Sequence, residues 1–374
     1  MSTFWAGLGN IVGPIIGFLL GLIPLILIHE FGHLIAGRVV GIWAREFGIG
    51  YPPRVLKLFR WKETDFTLNW LPFGGFTRFE GETTFDDGTD HTAELGAQEH
   101  SLYAKGPWQR IVVYLGGSVA NLTTAWLIAI LIFVTGIPQT RAVITDVVAD
   151  SPAAAASLQA GDRIIAVNGD EIEDTRVLQE RILEEAGEPT TFTIESENGS
   201  TDVVITPRAN PPEGQGALGI MIATQEVSGT LKHYPLTQAV TYGSRYFANV
   251  AATTVMLPVY IVRMGIPFEQ ARPVGVIGIS QIADQSVDQS IAQNAPYPFL
   301  NVLVLLSISL GIFNLLPIPA LDGGRILFAV IEAIRGKALT PALEERIHLV
   351  ALLLLVAVFV VVTVLDIVMP VQLQ

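Results

Sequence analysis

The sequence contains no cysteine. That excludes disulfides and thiolate-held metals, so any metal must be bound by His, Asp or Glu. Charge is scarce: Asp, Glu, Lys and Arg make up 15% of the 374 residues. Acid prevails, with a net charge of −13, which argues against nucleic acid as a partner. Residues 1–10 hold no Lys or Arg, so they lack the basic start of a secretory signal. Apolar sequence is abundant instead. Half the residues are hydrophobic and the mean hydropathy is +0.49, the composition of a membrane protein.

Four stretches reach the roughly 20 apolar residues needed to cross ~30 Å of hydrocarbon: about 9–36, 111–137, 299–320 and 349–369. A fifth, 236–266, is interrupted by Gln238, Arg245, Asn249 and Arg263. It is expected to lie on the membrane or against the bundle rather than to cross. Arg38 and Arg45 follow the first span, Lys105 and Arg110 precede the second, Arg325 follows the third, and Arg335, Lys337 and Arg346 precede the fourth. The positive-inside rule then puts residues 37–110 and 321–346 in the cytosol, with both termini and residues 138–298 outside.

Between the spans the sequence changes character. Residues 54–61 and 64–70 are aromatic and β-branched with interleaved charges, a turn at Lys62-Glu63, and prolines on either side. They predict a β-hairpin or small sheet within 44–82 that touches the membrane face. Residues 83–100 are acidic and read as a solvated loop. Residues 138–230 read as a soluble α/β domain, large enough for its own core, with 16 Asp or Glu against 5 Lys or Arg. The chain thus divides into a first membrane core (1–137), this domain (138–230), a membrane-associated connector (231–298) and a second membrane core (299–374).

The chemistry centres on His29-Glu30-Phe31-Gly32-His33 at the end of the first span. On a helix His29 and His33 lie one turn apart on one face, where two neutral imidazoles can share a Zn²⁺ with Glu30 beside it as general base. A catalytic zinc needs a third protein ligand. Glu46 is nearest in sequence but lies outside the span. Asp322, after Asn314-Leu315-Leu316-Pro317-Ile318-Pro319, ends the third span. Spans one and three run the same way, so Asp322 reaches the side that holds His29 and His33. A full crossing by 236–266 would put it on the opposite face. Asn314 reads as a helix breaker or as a hold on the backbone of a substrate. His91, His100, His233 and His348 lie outside both motifs and read as surface residues.

His-Glu-x-x-His in the first span, together with Asn-x-x-Pro-x-Pro-x-Leu-Asp-Gly-Gly at 314–324, resembles the site-2 protease family of intramembrane zinc metalloproteases. The nearest likeness is to its bacterial regulated-proteolysis branch, with a PDZ domain between spans two and three. The resemblance implies a polytopic α-helical membrane protein of four transmembrane helices, a membrane-associated β element and an inserted extracytoplasmic PDZ domain, in a bacterial cytoplasmic membrane. It implies that the β-rich stretch is membrane-reentrant and guides the substrate strand, with Gly74, Gly75 and Phe76 as contacts. It also implies that Asn121 faces the active site, where it stabilises the oxyanion, holds substrate or serves only helix packing. The family often has Gly-Pro where this chain has Gly117-Ser118. Residues 273–278 resemble the family's short Gly-rich motif. Ser151-Pro152-Ala153, Ala160-Gly161-Asp162 and Asn168-Gly169-Asp170 resemble a PDZ core. Leu218, Gly219 and Ile220 resemble its peptide-binding loop.

The function expected is zinc-dependent hydrolysis, inside the bilayer, of single-pass membrane substrates such as an anti-sigma factor or a signal-peptide remnant. The metal ligands would be His29, His33 and Asp322. The alternative is a non-enzymatic membrane adaptor with a structural metal; against it, structural zinc sites close with four ligands. A metal-ion transporter would need several ionisable groups across the bilayer centre; the second and fourth spans have almost none, and Asp366 lies at an end.

Overall fold

The structure, a computed structural model, describes residues 2–81, 99–172, 175–196, 199–212, 215–264, 274–337 and 340–368. The acidic stretch 83–100 falls almost wholly outside them, as does His91. In chain order the elements begin with α1 (Ser2–Val39), β1 (Ala44–Trp61), β2 (Thr64–Phe79) and α2 (Pro107–Thr135). There follow β3 (Ile137–Val147), α3 (Pro152–Ala155), β4 (Arg163–Val167), β5 (Asp170–Glu171), α4 (Thr175–Glu184), β6 (Thr190–Ser196), β7 (Gly199–Ile205) and β8 (Ile220–Lys232). The chain ends with α5 (Leu236–Met264), α6 (Val276–Ala292), α7 (Tyr297–Asn314), α8 (Asp322–Arg335) and α9 (Pro341–Val368). Two compact units result, residues 1–135 with 234–374, and residues 136–233.

In the first unit α1 packs on α2 and on the sheet. The crossing of α1 and α2 is made by glycines: a Cβ on Gly32 would run into the backbone of Gly116, and one on Gly116 would meet Gly32 O at 2.5 Å. Small residues at such a crossing let two backbones approach. The crossing therefore explains the Gly within the His-Glu-x-x-His motif. Helix α1 ends in a Schellman turn, with Gly41 at φ +77° and bonds Ile42 N–H to Gly37 O (2.8 Å) and Gly41 N–H to Arg38 O (3.2 Å). The left-handed glycine turns the chain into β1 eight residues past His33.

Strands β1 and β2 form an antiparallel sheet with the turn at Lys62, φ +55°. The pairing is more folded than a hairpin. Residues 46–49 pair with 65–68 on one side and with 75–78 on the other, so the 75–79 segment forms one edge. That edge lies against α1: Thr77 Oγ1 donates to Glu30 O at 2.8 Å.

Five helices among the described residues are long and apolar enough to cross a membrane: Gly21–Val39, Pro107–Thr135, Leu236–Arg263, Tyr297–Asn314 and Arg346–Val368. The sequence reading counted four. The difference is α5, whose polar residues do not interrupt it. At 3.6 residues per turn Gln238, Arg245, Asn249 and Arg263 fall within about 20° of one line; all four are exposed on a continuous helix. On another side α5 packs against α2, with Gly243 on Ile130 and Trp126 Nε1–H donating to Ser244 Oγ at 2.9 Å.

Two further helices, α6 and α8, were absent from the sequence reading. Asp366 of α9, read as lying merely at a helix end, is buried and accepts a hydrogen bond from Gly278 N–H of α6 at 2.9 Å. It caps a helix whose own N-cap, Gly275, has no side chain to do so. A Cβ on Gly275 would lie 2.7 Å from that carboxylate, which accounts for a glycine there. Helix α8 packs on α2, with Arg110 paired to Glu332.

The second unit is a sheet ordered β7-β6-β4-β3-β8, with β5 on β4. One face builds a core of Ile144, Ile164, Leu178, Phe192, Ile194 and Leu218. Between α4 and β8 lies a groove of about 270 Å³ lined by Gln179, Ile182, Leu183, Leu218, Ile220 and Ile222, among others.

Candidate metal centre

Two elements far apart in sequence converge on one point. His29 and His33 present Nε2 from consecutive turns of α1, 3.1 Å apart. Asp322 opens α8 and brings its Oδ2 to 3.0 Å from His29 Nε2 and 3.2 Å from His33 Nε2. Among the described residues this is the one cluster of three His, Asp or Glu ligand atoms drawn this close. Both imidazoles are only 7% exposed. Zinc ligands about 2.0–2.1 Å from a tetrahedral ion sit about 3.3 Å from one another, close to the spacing here. Glu46 is elsewhere: buried in the sheet, it pairs with Arg54 at 3.0 Å and accepts from Thr67 Oγ1 at 2.8 Å.

The imidazoles are held in the form a metal requires. His33 Nδ1 lies 2.8 Å from Val113 O. A carbonyl accepts only, so Nδ1 carries the proton and Nε2 keeps its lone pair for the centre. His29 Nδ1 lies 3.3 Å from the Asn121 amide nitrogen, Nδ2. Turned so that its oxygen faces the ring, that amide accepts from Nδ1–H and fixes the same tautomer. Asn121 is fully buried, and its backbone oxygen accepts from Ser307 Oγ of α7 at 2.8 Å.

Space is kept by Gly117. A Cβ there would lie 2.5 Å from both His29 Nε2 and His33 Nε2, in the cup between the donor atoms. Val113, Gly117 and Asn121 recur every four residues, so one face of α2 anchors one ring, leaves the cup open and anchors the other. Sequence reading tied Asn121 to the site by resemblance alone, and missed Val113 and Gly117.

Helix α7 ends at Asn314, and Pro317 and Pro319 keep it from continuing. Asn314 is half-buried at that end. The chain restarts as a helix at Asp322, whose carboxylate sits at the positive end of α8. Gly323 and Gly324 turn their faces to the loop: a Cβ on Gly324 would lie 2.7 Å from Pro319 Cα.

On the sheet side, a Cβ built on Gly75 would sit 3.7 Å from Glu30 Cγ, and Gly74 (φ +112°) abuts Ile26. Phe76 points the other way, packing on Gly48 and stacking with Tyr51 at 6.3 Å. In the second unit Leu218 and Ile220 line the groove, whereas Gly219 (φ +73°) turns against Ser151.

The chain is similar to known proteins over most of its length. The profile described as peptidase family M50 matches residues 17–358. The chain is 32% identical over 362 residues to a Clostridium perfringens protein named as a zinc metalloprotease, covering 96% of this chain and 99% of the relative. It is 28% identical to the zinc metalloprotease RasP of Geobacillus kaustophilus (93% and 96% covered). It is 26% identical to the regulator of sigma-W protease RasP of Bacillus subtilis (94% and 97%). With donors for zinc gathered at the end of a membrane-length helix and the family profile spanning most of the sequence, the chain belongs to peptidase family M50, the site-2 proteases, and is a zinc metalloendopeptidase.

Proposed function

We propose that this peptidase cleaves membrane-inserted segments of other proteins, with His29, His33 and Asp322 as its metal ligands and Glu30 as general base. The observation that carries the reading is the convergence of the three donor atoms, with both Nδ1 atoms engaged away from the centre. What zinc supplies when bound is Lewis acidity, enough to bring the pKa of a water to about 7. Glu30 would take a proton from the attacking water and pass it to the leaving amine. A substrate helix keeps its carbonyls hydrogen-bonded, so it must unwind before cleavage. The 75–79 edge, with Gly75 beside Glu30, supports capture of the unwound segment by strand addition. In this arrangement Gly74 and Gly75 face the substrate, Phe76 braces the sheet, and Asn314 holds backbone at the far side.

The membrane reading is four crossings, by α1, α2, α7 and α9, in a bacterial cytoplasmic membrane, with the centre near the cytosolic side. Asp322 shares a side with His33 only if α5 and α6 together cross an even number of times. Helix α6 carries Asp284 and Asp288 and is not among the membrane-length apolar helices. Among the described residues α5 therefore has no return partner, and its exposed polar stripe suits a surface position. Residues 136–233 act as an extracytoplasmic PDZ-type filter. The support is that β8 is an edge strand beside a groove lined by Leu218 and Ile220, where a peptide can add. Single-pass substrates such as an anti-sigma factor or a signal-peptide remnant fit such a filter.

The test is cleavage of a single-pass substrate by purified protein in liposomes. A chelator should stop it and zinc restore it. Cleavage indifferent to chelator would overturn the reading. Asn121 gives a second expectation. Asn121→Leu frees the His29 ring, and zinc affinity should fall about 10- to 100-fold, read by competition with a chromophoric chelator. Unchanged affinity would mean that Asn121 serves only the contact between α2 and α7.

A further inference from the structure

We propose that His348, on α9, is a positioning residue for Asp322. The inference rests on the reading of Asp322 as a metal ligand.

Seven residues, 315–321, join α7 to α8. Pro317 and Pro319 have no N–H to give. Four of the other five find acceptors in the loop or in the last turn of α7: Leu315 to Ile312 O, Leu316 to Phe313 O, Ile318 to Leu316 O and Leu321 to Ile318 O. The fifth, Ala320 N–H, leaves the loop and donates to His348 Nδ1 at 2.8 Å. Ala320 stands two residues before Asp322 and holds φ +79°, a left-handed conformation that a residue with a Cβ adopts only when its surroundings impose it. The bond from His348 is such an imposition. It pins the loop at its least favourable residue, immediately before the carboxylate emerges.

The His348 side chain is itself fixed. Its ring meets Phe328 of α8 edge-on, centroids 5.3 Å apart, so α9 grips both the loop and the helix that carries Asp322. To accept at Nδ1 the ring must bear its proton on Nε2. Glu344 Oε1, 3.9 Å from Nε2, favours that tautomer. Nothing in the sequence around His348 marks this role. The acceptor and the loop are 28 residues apart, and the partner is a backbone N–H that carries no side-chain signature.

Asparagine separates this role from mere packing, because its Oδ1 occupies the place of the histidine Nδ1, whereas phenylalanine keeps the bulk and loses the acceptor. Zinc affinity of full-length protein in detergent is measured by chelator competition, beside thermal unfolding. His348→Phe should bind zinc about tenfold more weakly and His348→Asn within about threefold of wild type, with unfolding temperatures alike. Wild-type affinity in His348→Phe, or equal loss in both variants, would overturn the assignment. Should the phenylalanine variant not fold, His348→Gln replaces it. Its acceptor sits one bond too far out, so affinity must rank asparagine above glutamine, and equality overturns the proposal. Asp322→Ala is the reference. Wild-type affinity there overturns both readings, whereas loss there with wild-type affinity in His348→Phe overturns only the role of His348.

Discussion

Glu30→Gln is expected to abolish cleavage of a membrane substrate while zinc stays bound. Glutamine matches glutamate in size and keeps an oxygen able to accept a hydrogen bond, but it cannot take up a proton at neutral pH. The proposed ligands are untouched. His29 and His33 remain anchored through the contacts of their Nδ1 atoms with the Asn121 amide and Val113 O, and Asp322 arrives from another helix. The sheet also keeps its hold, since Thr77 binds the backbone oxygen of residue 30 and not its side chain. Proton transfer by a positioned base contributes about 10²–10⁴-fold, so a loss of about 1,000-fold in kcat is expected, with KM little changed. The checks are cleavage of a labelled substrate in liposomes and metal content of the purified variant. Turnover within tenfold of wild type would remove Glu30 from the chemistry. Loss of zinc with loss of activity would make it a ligand instead.

What the sequence made legible follows the chemistry closely. His29, Glu30, His33 and Asp322 stand out because polar groups at the ends of apolar spans are costly and need a reason. The direction of each span followed from where Arg and Lys gather. The sheet at 44–79 could be read from its alternation and its prolines. Other features depend on contacts between distant segments. Gln238, Arg245 and Asn249 look like breaks in a span when counted along the chain and become one stripe when wound into α5. Helix α6 also enters the parity of the crossings, and its Asp and Gln residues make it read as a connector. Asp366 gave no sign of capping a helix that starts 90 residues earlier, and His348 gave none of its bond to Ala320. The glycines were the least legible. Gly32, Gly116 and Gly117 are simple helix residues in sequence, and only the approach of α1 to α2 gives them work.

Gly117 carries the most exposed consequence of that approach. Gly117→Ala is expected to remove zinc binding and leave the fold intact. Within a helix alanine is more favourable than glycine by about 1 kcal/mol, so α2 itself has nothing to lose. The cost falls on the centre. The new methyl would stand 2.5 Å from both Nε2 atoms, where non-bonded atoms need about 3.5 Å. Both rings would have to swing away, and His33 can do so only by giving up Val113 O at 2.8 Å. The alternative, moving α2 back, would open the crossing that Gly32 and Gly116 close. Disturbing the supports of a metal site costs about 10- to 100-fold in affinity; filling the cup between the donors should cost at least the upper figure. Chelator competition reads the affinity, and thermal unfolding of the metal-free protein should show no loss against wild type. Gly106→Ala is the control: its Cβ would meet only the tip of Gln109, at 3.8 Å, and both readings should stay at wild type. Zinc bound as tightly by Gly117→Ala as by wild type would mean that the ion does not sit between His29 and His33.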